Sequence, residues 1–134
     1  MATKRNITVT VTFKRLKDSQ DAPTILLVGS TRSSKTYSIE QYINDRLESE
    51  PGLTCFAGRH DGATCARTII KDFKEILRKQ FKTWDDRCWN KQDKVYTYPN
   101  GSEIRFGGTQ DIGKLHGQKQ DILWLNECND CTYE

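Results

Sequence analysis

Ile25-Leu26-Leu27-Val28-Gly29-Ser30-Thr31-Arg32-Ser33-Ser34-Lys35-Thr36 constrains this chain more than any other stretch. Four consecutive large aliphatic residues predict a strand buried on both faces, as in a parallel sheet. The small polar residues that follow turn into a lysine and a hydroxyl, which open a helix. The spacing is one residue away from the phosphate-binding loop G-x-x-x-x-G-K-[ST], with Ser34 where the second glycine is expected. Such a loop works because successive backbone N–H groups and a helix N-terminus point at one spot, where an anion supplies the partner they lack. Lys35 would then reach the β- and γ-phosphates, and the Thr36 hydroxyl would sit on Mg²⁺. A polar strand-to-helix turn could carry the same letters. The aliphatic run before it and the amphipathic residues 37–47 after it favour nucleotide binding.

The rest of the composition sets bounds. The 134 residues fit one domain, which would bury about two thirds of its unfolded surface. A hydrophobic fraction of 35% and a mean hydropathy of −0.76 are low for a self-contained globule. The charged residues mix both signs along the chain, which argues against disorder. A net charge of +3 permits a polyanionic partner without requiring one. No apolar run approaches membrane-spanning length, and residues 1–5 are not followed by a signal-peptide core.

Five cysteines at irregular positions predict reduced thiols in a cytosol. Cys128 and Cys131 have C-x-x-C spacing, but no second pair exists, and neither His60 nor His116 is spaced as a ligand to them. Zinc and redox chemistry are therefore not expected there.

Read in order, residues 7–13 alternate apolar and β-branched polar side chains and predict a half-exposed strand. Residues 18–23 form a turn into the central strand. The helix after the loop runs to about residue 49 on Tyr37, Ile39, Tyr42, Ile43 and Leu47, and Pro51-Gly52 stops it. Residues 53–58 read as a second strand. A long amphipathic helix follows from about residue 63, with Ile69, Ile70, Phe73, Ile76, Leu77 and Phe81 on its face. This alternation is the pattern of a parallel α/β sheet.

Residues 84–94 read as an irregular link in which Trp84 and Trp89 are packing anchors. Residues 95–99 and 102–106 flank Asn100-Gly101, a signal for a hairpin with a type I′ turn. Residues 109–119 read as a loop or short helix. Residues 121–127 then predict a buried strand ending in Glu127. A carboxylate at the carboxyl end of a strand beside the phosphate loop can orient a water for attack on a γ-phosphate. Alone, Glu127 would read as a solvated helix start. Asn126 stands where an aspartate usually helps hold the Mg²⁺ water shell, and its amide oxygen can still accept from a metal-bound water without contributing charge.

With both motifs placed, the chain resembles the ATPase portion of a tailed-bacteriophage terminase large subunit across about residues 7–134. Residues 27–38 resemble the family's first motif (Walker A-like, 29–36), which often carries an arginine in the loop. The resemblance implies that Arg32 contacts phosphate or the catalytic glutamate. Residues 58–61 and 73–77 resemble the family's R-K segment and the helix after it. Residues 101–108 resemble the hairpin before the second motif, and residues 114–117 the K-x-x-G that follows. Residues 121–127 match the second motif (Walker B-like), where the family often replaces the aspartate and keeps the glutamate. Arg59 and Lys114 would face nucleotide, DNA or a neighbouring subunit, or else be plain surface cations.

The resemblance implies a P-loop NTPase fold of the ASCE/RecA-like kind. Its mainly parallel sheet would be flanked by helices, with a β-hairpin before the Walker B-like strand. It implies an ATPase that drives double-stranded DNA into the procapsid, with ATP and Mg²⁺ as cofactors. Gly29, Ser30, Thr31, Arg32, Ser33, Ser34, Lys35 and Thr36 would bind the nucleotide. Glu127, Arg32 and Lys35 would be catalytic, and Thr36, with Asn126 through water, would hold the metal. Portal protein, the small terminase subunit and further copies in a ring would be partners, in the host cytoplasm at the procapsid portal and away from membranes. The family's later ATPase motif and its nuclease domain have no counterpart in these residues, so the chain is expected to be a truncated part of the ATPase domain. The family fold also implies a strand between those carrying Lys35 and Glu127. The rival readings are a catalytically incomplete nucleotide-binding remnant, or another P-loop enzyme such as a helicase-like ATPase or a small-molecule kinase.

Overall fold

A computed structural model describes residues 11–19, 21, 25, 35–59, 63, 66–108 and 120–126. The predicted central strand falls outside these residues apart from Ile25, which is exposed and outside regular structure.

The first described element is a helix, α1 (Val11–Asp18), where the alternating pattern of residues 7–13 predicted a strand. For residues 11–13 that expectation is corrected; residues 7–10 lie outside the described set. Burial explains the outcome. Phe13 and Leu16, three apart, share a helical face and are both buried. Phe13 meets Tyr42 edge-on at 6.4 Å. This packing overrides the β-propensity of the preceding Thr-Val alternation.

α2 (Lys35–Ser49) agrees with the sequence at both ends. Tyr42, Ile43 and Leu47 are buried as expected, while Tyr37 and Ile39 are half-buried. The helix is also buried on its polar side: Ser38, Glu40, Gln41 and Asn44 are all 1% exposed or less. It ends before Pro51 and Gly52, whose φ of +73° takes the left-handed conformation glycine allows.

Five strands follow: β1 (Thr54–Arg59), β2 (Trp89–Asn90), β3 (Val95–Thr97), β4 (Glu103–Gly108) and β5 (Ile122–Leu125), in the order β2-β3-β4-β1-β5. β1 pairs in parallel with β4 on one side (Cys55 opposite Ile104) and with β5 on the other (Cys55 opposite Ile122). β2, β3 and β4 pair antiparallel. The sheet is therefore mixed, not mainly parallel. Short connections force this outcome, because strands joined by a tight turn can only pair antiparallel. β1 is buried on both faces from Cys55 to Gly58. A Cβ at Gly58 would come within 2.6 Å of the Phe56 ring. β5 stands at the margin of the described sheet with Leu123 56% exposed, so it is not the fully buried strand that its composition predicts.

The predicted long helix is present over residues 66–81, but only its centre, α3 (Lys71–Glu75), is α-helical. Ala66–Ile70 and Ile76–Phe81 are wound as π-helix. Ile69, Phe73, Leu77 and Phe81 are all buried. A strict four-residue repeat outruns the 3.6 residues of an α-turn, and wider turns keep all four on the core side. Phe73 packs against Tyr96 and Phe106 at 6.1 and 5.4 Å. The link at 84–94 contains a 3₁₀ turn (Asp86–Cys88) and β2, and Trp84 and Trp89 pack against the core.

The hairpin joins β3 to β4 as expected, but not through a type I′ turn. Only Gly101 has positive φ (+90°), and its N–H donates to the Tyr98 carbonyl at 3.0 Å. This matches a type I turn with Pro99 at its second position, followed by a left-handed glycine. Asn100 has a different task. Its side-chain amide donates to the Leu47 and Glu48 carbonyls at 2.8 and 3.1 Å, capping the C-terminus of α2. Ser102 Oγ donates to the Glu50 carbonyl at 2.7 Å and accepts from the Leu53 N–H at 3.1 Å.

Candidate functional site

Parallel register brings the carboxyl ends of β1 and β5 level, with Gly58 opposite Leu125. The Asn126 N–H donates to the Gly58 carbonyl at 2.8 Å, which fixes Asn126 just beyond the last paired residue of β5. In open α/β sheets ligands bind outside the carboxyl ends of parallel strands. The N-terminus of α2 arrives at this place. Thr36, in its first turn, donates from Oγ1 to Asn126 Oδ1 at 3.4 Å, and both residues are half-buried. A helix N-terminus carries partial positive charge, so the dipole of α2 favours an anion at this spot.

Lys35 is the first residue of α2 and is half-buried. Arg59 closes β1 at the same carboxyl edge, where its Nη1 donates to Thr68 Oγ1 at 3.3 Å. The structure thus joins Thr36 to Asn126 and places Lys35 beside Thr36. Gly29, Ser30, Thr31, Arg32, Ser33 and Ser34 lie outside the described residues, as do Glu127, Lys114, His116, Cys128 and Cys131.

Thr36 Oγ1 and Asn126 Oδ1 are neutral hard oxygens, the donor type that Mg²⁺ accepts. Neither brings charge, so a metal held there would rely on phosphate oxygens and water for the rest of its shell. The pair fits that role. Among the described residues no group of three or more His, Cys, Asp or Glu could hold a metal ion by itself.

One buried group escaped the sequence reading. Glu40 lies one turn after Thr36 on α2 and is 1% exposed, and neither carboxyl oxygen has a hydrogen-bond partner among the described residues. Burial, with a smaller contribution from nearby Asp72, pushes its pKa well above the usual carboxylate range. The carboxyl therefore resists ionisation on the same helix that carries Lys35 and Thr36. Asp72 lies on a separate helix, and the local spacing of residues 37–47 carries no sign of this environment. Further along α2, Asn44 Oδ1 accepts from the Tyr98 hydroxyl at 2.7 Å, and Gln41 Nε2 donates to Gln80 Oε1 at 2.6 Å. α2 is thereby tied by polar contacts to the hairpin and to the 66–81 helix. Among the described residues no helix is long and apolar enough to cross a membrane.

A family model for the phage terminase large subunit matches residues 21–134. No curated protein and no solved structure matches the chain. The family match spans α2, the whole described sheet and both sequence motifs. The chain belongs to the phage terminase large subunit family.

Proposed function

We propose that this chain is the nucleotide-binding part of a DNA-packaging ATPase with a P-loop fold. The observation that carries the reading is the 3.4 Å contact between Thr36 and Asn126. It joins the residue that ends the phosphate-loop motif to the residue that precedes the acid of the second motif, as one shared site requires.

In this reading the amides of residues 29–36 cradle the phosphates of ATP, and Lys35 neutralises the β- and γ-phosphates. The Thr36 hydroxyl would hold Mg²⁺, with Asn126 acting through water, and the metal would supply neutralisation of phosphate charge. Glu127 accepts the proton of the attacking water, and Arg32 stabilises the charge that gathers on the γ-phosphate. Turnover drives double-stranded DNA into the procapsid, with a portal protein, a small terminase subunit and other copies of the chain as partners in a ring. Contacts to DNA fall on its phosphates, since a packaging motor must be indifferent to sequence.

Asn126 supports a second reading. An amide where charge is usual fits a module that binds nucleotide without turning it over. ATP binding and turnover, with and without DNA, separate the two for wild type, Lys35→Ala and Glu127→Gln. The motor reading expects Glu127→Gln to bind without turnover and Lys35→Ala to lose both. Wild-type binding without turnover selects the second reading, and no ATP binding at all overturns both.

A further inference from the structure

At the far edge of the sheet from Asn126, two cations converge on one indole. Lys74 Nζ lies 5.2 Å from the centre of the Trp84 ring, and the Arg78 guanidinium carbon lies 5.8 Å from it. They are four residues apart on the 66–81 helix, hence one turn apart on one side. Trp84 is itself fixed. Its indole N–H donates to Asp86 Oδ1 at 2.8 Å, and the Tyr96 ring lies against it at 4.9 Å with a 33° tilt. The Tyr96 hydroxyl donates to the Thr83 carbonyl and accepts from the Asp85 N–H, both at 3.2 Å, which pins the backbone on either side of Trp84.

Two like charges on one ring repel, and the carboxylate that pairs with Arg78 only partly offsets this. Asp86 is 3.8 Å from Arg78 and 81% exposed. The Arg78 side chain is itself 51% exposed, and Lys82 stands exposed at the end of the same helix. A bound anion would relieve the repulsion, and the ring contacts have already ordered the side chains that would hold it.

We infer that Lys74 and Arg78, seated on Trp84, form a contact for the phosphate backbone of duplex DNA. The inference rests on the packaging reading for the identity of the polyanion, and on the geometry above for the place. Trp84 is occupied by Tyr96 and the two cations, so it is a support for charge and not a platform for an unstacked base. Contact is therefore through phosphates and blind to sequence. A protein partner would want an apolar centre. The exposed large hydrophobic residues among those described are Ile25 and Leu123, neither of them in this patch. Polar, positively charged surface of this kind suits nucleic acid.

The test uses the full chain and fluorescence anisotropy with two duplex DNAs of unrelated sequence across a salt series. Lys74→Gln/Arg78→Gln is expected to flatten the dependence of log K on log salt by about 1.8 for both sequences, two phosphates' worth. Lys74→Arg/Arg78→Lys should retain the wild-type slope. An unchanged slope in the glutamine variant overturns the inference. So does equal binding of polyglutamate through the same two residues, which would point to an acidic protein surface instead. ATP binding, measured on the same samples, keeps the two readings apart. DNA binding through the patch without any ATP binding sinks the motor and keeps the patch. ATP turnover with a patch-independent salt slope does the reverse.

Discussion

Thr36 and Asn126, 90 positions apart in the chain, share a 3.4 Å hydrogen bond at the carboxyl edge of the parallel strands. Both oxygens are neutral, whereas the proposed reading puts a nucleotide-bound metal beside them. Asn126→Asp keeps an acceptor for the Thr36 hydroxyl and adds a negative charge. It should tighten Mg²⁺-dependent nucleotide binding about tenfold, the effect of about 1.4 kcal/mol. Thr36→Val should abolish the Mg²⁺ dependence and cost about 1 kcal/mol of stability, as for one lost hydrogen bond. Nucleotide titration by calorimetry with and without Mg²⁺ checks both, and an Asn126→Asp variant that binds no tighter with the metal present refutes the first.

Glu40 makes stability depend on pH. Its folded pKa is raised by burial and then by Asp72, so the folded chain holds the proton over a range where the unfolded chain has released it. Stability from this group is full below the ordinary glutamate pKa and falls as pH rises towards the folded value. The slope within that window is about 1.4 kcal/mol per pH unit. Glu40→Gln removes the titration. Urea midpoints for the two proteins should lie close together below about pH 4 and separate steadily above it, the glutamine variant being the more stable. Parallel curves from pH 4 to pH 8 would show that Glu40 is ionised in the folded chain.

Tyr98 and Asn44 form a buried pair in which Asn44 Nδ2 already lacks a partner among the described residues. Tyr98→Phe strands the amide oxygen as well and should cost about 1–3 kcal/mol. Replacing both partners removes the stranded group along with the bond. Tyr98→Phe/Asn44→Leu should therefore be less destabilised than the sum of its single variants. A double-mutant cycle from urea denaturation reads the difference, and strict additivity would mean that the bond contributes nothing.

The parts of this fold legible in the sequence are those set by local chemistry. α2 is readable because Tyr37 to Leu47 has a helical apolar period and Pro51-Gly52 ends it. β1, β4 and β5 are readable as short runs bounded by glycine, proline or acidic residues. What failed was decided between distant elements. Residues 7–13 read as a strand, and in their described part, Val11 to Phe13, the contact of Phe13 with Tyr42 goes with a helix instead. The raised pKa of Glu40 owes part of its cause to Asp72, on a helix that begins more than twenty residues later. Sheet direction failed for a related reason, since a pattern of alternating elements does not say that the β3–β4 hairpin joins the same sheet as β1. The 3.4 Å contact between Thr36 and Asn126 joins residues from the two motifs that the sequence assigns to one site.

Asn100 offers the sharpest separation of a sequence signal from its physical cause. Asn-Gly between two strands is a hairpin signal because both residues tolerate positive φ. At this hairpin only Gly101 uses that tolerance, while Asn100 spends its amide on the Leu47 and Glu48 carbonyls and its Oδ1 on the Ser102 N–H at 3.0 Å. The two accounts differ in sign for Asn100→Gly. If backbone conformation chose the residue, glycine would serve as well or better. If capping chose it, glycine removes the side-chain bonds to α2 and adds unfolded-state entropy, for a loss of about 2 kcal/mol. Chemical denaturation of Asn100→Gly should show that loss, and amide exchange should show the last turn of α2 opening first. Wild-type stability in the glycine variant would return Asn100 to the role its neighbour suggests.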